Sequence, residues 1–140
     1  MGFPEGSNMK APGRSKFPLE PFLFSKGNYM DNQERRIVMY CISILYPKKD
    51  GGTFDFDYYA KNHIPMVTRF LGVNTVRAEI RKGVASPDGS AASFVCLGSI
   101  WIKSIEEFQA MLAQHGKEIM GDIPNYTNIQ PILQLDEVVG

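Results

Sequence analysis

His63 is the residue whose type and neighbours best fit chemistry in this chain, with Tyr59 four positions before it and Pro65 two after. Imidazole exchanges a proton near neutral pH, which suits it to general acid–base work. Proline removes a backbone donor and bends a helix, so Pro65 should kink the chain just after His63 and turn the ring toward a cavity mouth. Tyr59, one helical turn earlier on the same side, could orient the imidazole or donate to a developing oxyanion. The plainer alternative is a structural histidine bonded to a backbone carbonyl that the kink frees. Asp55 and Asp57 fall where a first helical turn begins, and capping with the helix dipole accounts for both. Tyr58 is read as filling a neighbouring ligand contact.

Further along, Asp122, Asn125 and Tyr126 lie before the last strand and could close one end of a pocket. Turn chemistry explains Asp122 and Asn125 equally well. His115, beside Gly116, reads as a helix-end residue, and Trp101 ends a strand either as core or as a platform for a ligand. The two histidines and two cysteines are scattered without ligand spacing, so no metal is expected. No glycine-rich phosphate loop and no serine nucleophile elbow occurs, so no cofactor is expected through those motifs. What chemistry remains is proton transfer or cofactor-free oxygen chemistry on a bound aromatic or carbonyl compound.

Hydropathy gives the framework that holds these residues. Residues 1–35 are rich in Gly, Pro, Ser, Asn and Lys without a period of 2 or 3.6, and read as an N-terminal arm, flexible or strapped onto a partner by Phe17, Leu19, Phe22, Leu23 and Phe24. The domain is expected over residues 36–140. Ile37 to Tyr46 and Ser93 to Ile102 are apolar on even and odd positions alike, as in strands buried on both faces. Val73 to Lys82 alternates, with Val76, Ala78 and Ile80 opposite Arg77, Glu79 and Arg81. Thr127 to Asp136 alternates too, with Ile129, Leu133 and Leu135 opposite Asn128, Gln130 and Gln134, and its Pro131 belongs at a sheet edge.

Two helices fill the gaps. Asp55 can cap one whose stripe is Phe56, Tyr59, His63, Val67 and Phe70. Ser104-Ile105-Glu106-Glu107 forms a capping box ahead of Phe108, Met111, Leu112, His115 and Ile119, a helix that Gly116 is expected to break. The order β-α-β-β-α-β, with the doubly buried strands central, gives an α+β ferredoxin-like fold with antiparallel sheet order 4-1-3-2.

Both helices then cover one sheet face. The other would leave about eight large apolar side chains in water, each forfeiting roughly 1.5–3 kcal/mol, against a domain stability of about 5–15 kcal/mol. A second copy packing sheet to sheet is the simplest cover. Arg77, Glu79, Arg81 and the polar residues of the last strand would rim an apolar space between the sheets, either as a small-molecule pocket or as simply solvated residues.

Composition excludes several partners. Fifteen basic residues balance fifteen acidic ones, so a cationic face for nucleic acid is not expected. No apolar run reaches the length of a membrane span, and no basic-then-apolar leader opens the chain. Cys41 and Cys96 lie inside apolar runs and read as buried reduced thiols, which suits the cytoplasm.

Three stretches resemble the EthD family of dimeric α+β barrel proteins: Leu45-Tyr46-Pro47 with Thr53-Phe54-Asp55-Phe56-Asp57-Tyr58-Tyr59, then Asn62-His63-Ile64-Pro65-Met66-Val67, then Gly121-Asp122-Ile123-Pro124-Asn125-Tyr126-Thr127-Asn128. The resemblance runs over about residues 37–139 and implies the same protomer and a face-to-face homodimer. It also implies an oxidoreductase setting, since EthD-like proteins are named for a role in ether degradation beside an oxygenase. The wider superfamily adds cofactor-independent monooxygenases, cyclases, isomerases and haem-degrading enzymes. These relations give three functional expectations. The first is a dimer that binds a small apolar or aromatic molecule and acts on it through His63 with Tyr59, the ligand touching Tyr58, Arg77, Trp101, Asn125 and Tyr126. The second is a non-catalytic carrier or oxygenase accessory, and the third a haem-binding protein with His63 as axial ligand.

Overall fold

Strands β1 (Tyr40–Pro47) and β3 (Phe94–Ile102) pair antiparallel at the centre of a four-stranded sheet, and their β-branched, apolar runs are what allows both to sit there. The computed structural model describes residues 37–140; the expected arm over residues 1–35 lies outside them. The domain it forms spans Met39–Val138. Strand β2 (Thr75–Lys82) adds to the free side of β3, and β4 (Ile132–Glu137) to the free side of β1. The order β2-β3-β1-β4 is the expected 4-1-3-2 read from the other edge.

The last strand is shorter than its alternation suggested. Thr127 and Asn128 are committed elsewhere: the Thr127 hydroxyl donates to the Thr53 carbonyl at 2.6 Å, and the Asn128 side chain accepts from the Thr53 amide at 2.9 Å. These bonds tie the segment to the 49–55 loop, and pairing with β1 begins only past Pro131, at Ile132. Asn128 and Gln130 therefore do not share the sheet face that holds Arg77, Glu79, Arg81 and Gln134.

Asp55 starts the first helical arm, its carboxylate accepting from the Tyr58 amide at 3.0 Å. The arm runs as α1 (Phe56–Tyr58), a π turn over Tyr59–His63, and α2 (Ile64–Leu71). The π turn is the form the expected kink takes. Pro65 has no N–H to return to the preceding turn, and the wider turn ahead of it absorbs that gap. The wider turn also rotates α2 about its axis, so the fully buried stripe is Tyr59, His63, Ile64, Val67 and Leu71, while Phe56 and Phe70 pack partly buried against the core.

Helix α3 (Ile105–Asp122) is continuous through Gly116, which sits past its midpoint without a break. Its N-terminus is capped by one half of the expected box: Ser104 Oγ accepts from the Glu107 amide at 3.1 Å. The other half is replaced. The Ser104 amide donates at 2.8 Å to Oδ1 of Asn74, a buried residue whose Nδ2 returns a bond to the Ser104 carbonyl at 3.0 Å. His115, mid-helix rather than at an end, stacks on Phe70 with ring centroids 3.9 Å apart.

The core lies between the helices and the sheet face bearing Ile42, Tyr46, Cys96, Ile100 and Ile102, and both cysteines are buried and free. Burial pushes the Cys96 thiol up to about 12, so it stays protonated. The opposite face carries Leu45, Leu97 and Trp101 interleaved with Cys41, Ser43 and Ser99, so it is less apolar than the continuous runs implied.

Tyr59 is fully buried, and its hydroxyl has no hydrogen-bond partner among the described residues. It fits against Gly98, where a β-carbon would come within 2.6 Å of the oxygen. We expect Gly98→Ala to destabilise the domain by about 1–3 kcal/mol through overpacking. Tyr59→Phe, which removes an unsatisfied buried oxygen, should be neutral or stabilising and should rescue Gly98→Ala. Urea denaturation of the two single variants and the double variant checks this, and additive effects would contradict it.

Candidate functional site

The π turn delivers His63 to the core side of its helix, where only about 4% of the residue remains exposed. There its Nδ1 meets Asp122 Oδ2 at 2.8 Å. Asp122 is the last residue of α3, so the bond joins the ends of two helical elements 59 positions apart. The carboxylate is held from its other oxygen as well: Tyr58 Oη donates to Oδ1 at 2.6 Å and Asn125 Nδ2 donates at 3.0 Å. Burial alone would raise the Asp122 carboxyl, but the hydrogen bonds from Tyr58, His63 and Asn125 outweigh it and hold the group below the usual carboxylate range. The same bond raises the Tyr58 hydroxyl, because its ionisation would set two anions together.

An ionised Asp122 can only accept, so His63 Nδ1 carries the proton of this bond, and whenever the ring is neutral its lone pair is on Nε2. Nε2 makes no hydrogen bond among the described residues. His63 lines a cavity of about 60 Å³ between the sheet and α3. The rest of the lining is apolar side chains such as Ile42, Val67, Met111 and Leu133, apart from Tyr46, whose hydroxyl is bonded to that of Tyr126 at 2.7 Å. Burial raises the hydroxyls of Tyr46, Tyr59 and Tyr126, so all three are neutral donors or acceptors.

The residues singled out from sequence divide into two groups. His63, Tyr58, Asn125 and Tyr126 come together around Asp122, with the Tyr126 ring centroid 4.6 Å from that of His63. Tyr59 stacks on His63 at 5.7 Å, but its hydroxyl points to Gly98 and the residue does not line the cavity. It supports the imidazole as a ring rather than serving it as a proton donor. Arg77 and Trp101 lie on the far face of the sheet, the guanidinium 3.8 Å from the indole centroid, and cannot share a ligand with His63 across the intervening strands.

Sequence alone does not give two contributors their actual roles. Asp122 reads as a turn residue when Gly116 is expected to end the helix; a helix carried to its full length puts the carboxylate at its end. Tyr46 carries no local signal, since it reads as one more residue of a buried strand. No group of three metal-ligating side chains occurs among the described residues, and none of their helices is long and apolar enough to cross a membrane.

A ferredoxin-like α+β domain with a histidine–carboxylate pair against an apolar cavity is the class these features define. The sequence model of the EthD domain matches residues 53–130, which include all the residues around Asp122. An EthD-like protein of Ralstonia eutropha JMP134 is 41% identical, with 73% of this chain and 93% of that one covered and a TM-score of 0.69. An EthD family protein of Bacillus halodurans C-125 is 22% identical over 72% and 99% of the two chains, with a TM-score of 0.56, a likeness of fold. A search of curated proteins returns no match. The chain belongs to the EthD family.

Because the native Asp122 carboxyl is depressed, its contribution to stability is complete above the unfolded value of about 3.9 and is lost as pH falls through the native value. We expect Asp122→Asn to cost about 1–3 kcal/mol at neutral pH and the gap to the native protein to close in acid. Urea midpoints across that range measure it, and a gap that stays constant on acidification would contradict the assignment.

Proposed function

We propose that this EthD-family domain is a homodimeric small-molecule-binding protein that transfers a proton to or from a small apolar or carbonyl compound through His63. One observation carries the reading: the imidazole has Nδ1 fixed on an ionised carboxylate while the ring borders an otherwise apolar cavity. A ligand in that cavity meets a base held in one tautomer by a partly buried carboxylate, an arrangement suited to general acid–base catalysis. Asp122 orients the ring, and Tyr58 and Asn125 hold Asp122. The oxidoreductase sense of this reading rests on family resemblance alone.

The dimer is supported by the sheet face away from the helices, where Leu45, Leu97 and Trp101 are only partly covered. A second copy laid on this face would bury them, with Arg77 and Glu79 at the margin. A carrier without catalysis is favoured by a different observation: apart from His63, the one polar side chain of the cavity is Tyr46, whose hydroxyl is already paired with that of Tyr126. Haem ligation by His63 finds no support in this cavity, since about 60 Å³ is far below the ~300–1,000 Å³ of ordinary ligand pockets.

Sedimentation of the native protein at micromolar concentration should give a dimer, and Trp101→Glu should dissociate it by placing a charge on the buried face. A stable, folded monomer of the native protein would overturn the dimer. Native mass spectrometry should detect a neutral small molecule retained by the dimer. His63→Gln should lower turnover of that compound by about 10²–10⁴-fold without altering assembly. Turnover unchanged by the substitution would favour the carrier.

A further inference from the structure

The cavity beside His63 has a charge character that narrows what it can accept. Two of its fifteen lining residues, His63 and Tyr46, are polar, and none is Lys or Arg. A carboxylate or phosphate entering it would lose hydration without gaining a countercharge, which costs several kcal/mol for an ion. The nearest fixed charge has the wrong sign as well, since the Asp122 carboxylate stands directly behind the imidazole. A preformed anion is therefore disfavoured unless the imidazole takes up a proton from solvent. A neutral ligand with an acidic proton is treated differently, because proton transfer to Nε2 creates the anion and its countercharge together.

The acid is an O–H rather than a C–H. Removing a proton beside a carbonyl needs a donor for the developing enolate oxygen. The Tyr46 hydroxyl is already paired with that of Tyr126 and the Tyr59 hydroxyl is buried against Gly98, so no hydroxyl is held for that oxygen alone. An O–H acid needs none, since the imidazolium formed on transfer faces the new oxyanion. Size adds a second limit. A cavity lined by hydrocarbon holds a benzene ring at about 150 Å³, against about 60 Å³ here, so a ring enters only if side chains yield. Those able to do so are at the mouth, where Leu112, Met120 and Leu133 are at least 37% exposed and the methionine is flexible.

We propose that this cavity selects a neutral, compact, weakly acidic hydroxyl compound, with a single-ring phenol as its type, and that His63 takes the hydroxyl proton on binding. The proposal rests on the reading of His63 as a base. In the step, the ligand O–H bond breaks and an N–H bond forms at Nε2; the electron pair stays on oxygen. The phenolate lies against an imidazolium whose other N–H remains on Asp122, and the net charge of the site is unchanged.

The test is titration of the full-length dimer with three matched probes: 4-nitrophenol, 4-nitroanisole and 4-nitrobenzoate. At a pH where free nitrophenol is mostly unionised, its binding should bring up the phenolate absorbance band. Nitrophenol should bind about tenfold tighter than nitroanisole, the worth of one charge-assisted hydrogen bond, and nitrobenzoate should bind more weakly than either. In His63→Gln the band and the nitrophenol advantage should vanish while nitroanisole still binds, which also shows the cavity to be intact. Asp122→Asn, which keeps the imidazole in the cavity, should weaken the band without abolishing nitroanisole binding. Nitrobenzoate binding as tightly as nitrophenol, or a nitrophenol advantage that survives His63→Gln, would overturn the proposal. Equal binding of nitrophenol and nitroanisole to the native protein would overturn it while leaving a ligand-binding cavity. Binding of none of the three would remove both.

Discussion

The bond from His63 to Asp122 organises this domain beyond the two residues it joins. Each partner is placed by a different device: the imidazole by a π turn that compensates for Pro65, the carboxylate by a helix that runs to its full length. Neither device is stabilising taken alone. A π turn has poorer backbone geometry than an α-helix, and a carboxylate at a helix C-terminus faces the negative end of the dipole. The pair, with Tyr58 and Asn125, offsets both by satisfying a mostly buried charge from three sides. Local choices that look unfavourable become consistent once the two ends meet.

The sheet separates two environments of different character. Toward the helices lie Tyr46, Tyr59 and Tyr126 with the His63 ring, a cluster of aromatic surfaces in which hydroxyls are scarce and mostly paired. On the far side, Arg77 covers Trp101 and Glu79 is drawn to Arg81, an amphipathic surface suited to contact with another face like it. The proposed chemistry and the proposed assembly therefore fall on opposite sides of β1 and β3.

Much of this was legible in the residues. Continuous apolar runs marked the central strands, alternation marked β2 as an edge, and Asp55 and Ser104 announced their helices by capping chemistry. The EthD resemblance pointed to the strings that contain His63 and Asp122. What escaped has a physical cause in each case. Gly116 lowers helix propensity by about 1 kcal/mol, but tertiary packing of Phe108 and Met111 outweighs so small a term. Thr127 and Asn128 alternate like strand residues yet bond to a loop that only the folded chain brings near. Tyr59 has the right spacing to assist His63, and spacing fixes the ring but not the hydroxyl, whose direction depends on the hollow left by Gly98.

Asn74 has its counterpart at the other end of the same helix. By bonding the Lys103 and Ser104 amides and the Ser104 carbonyl, it pins the start of α3 to the turn just after α2. Asp122 pins the finish, through His63 and Tyr58, to the turn just before α2. A beam anchored at both ends does not swing. Any give between α3 and the sheet is left to the loose side chains along its exposed flank, Leu112 and Met120, and not to travel of the backbone.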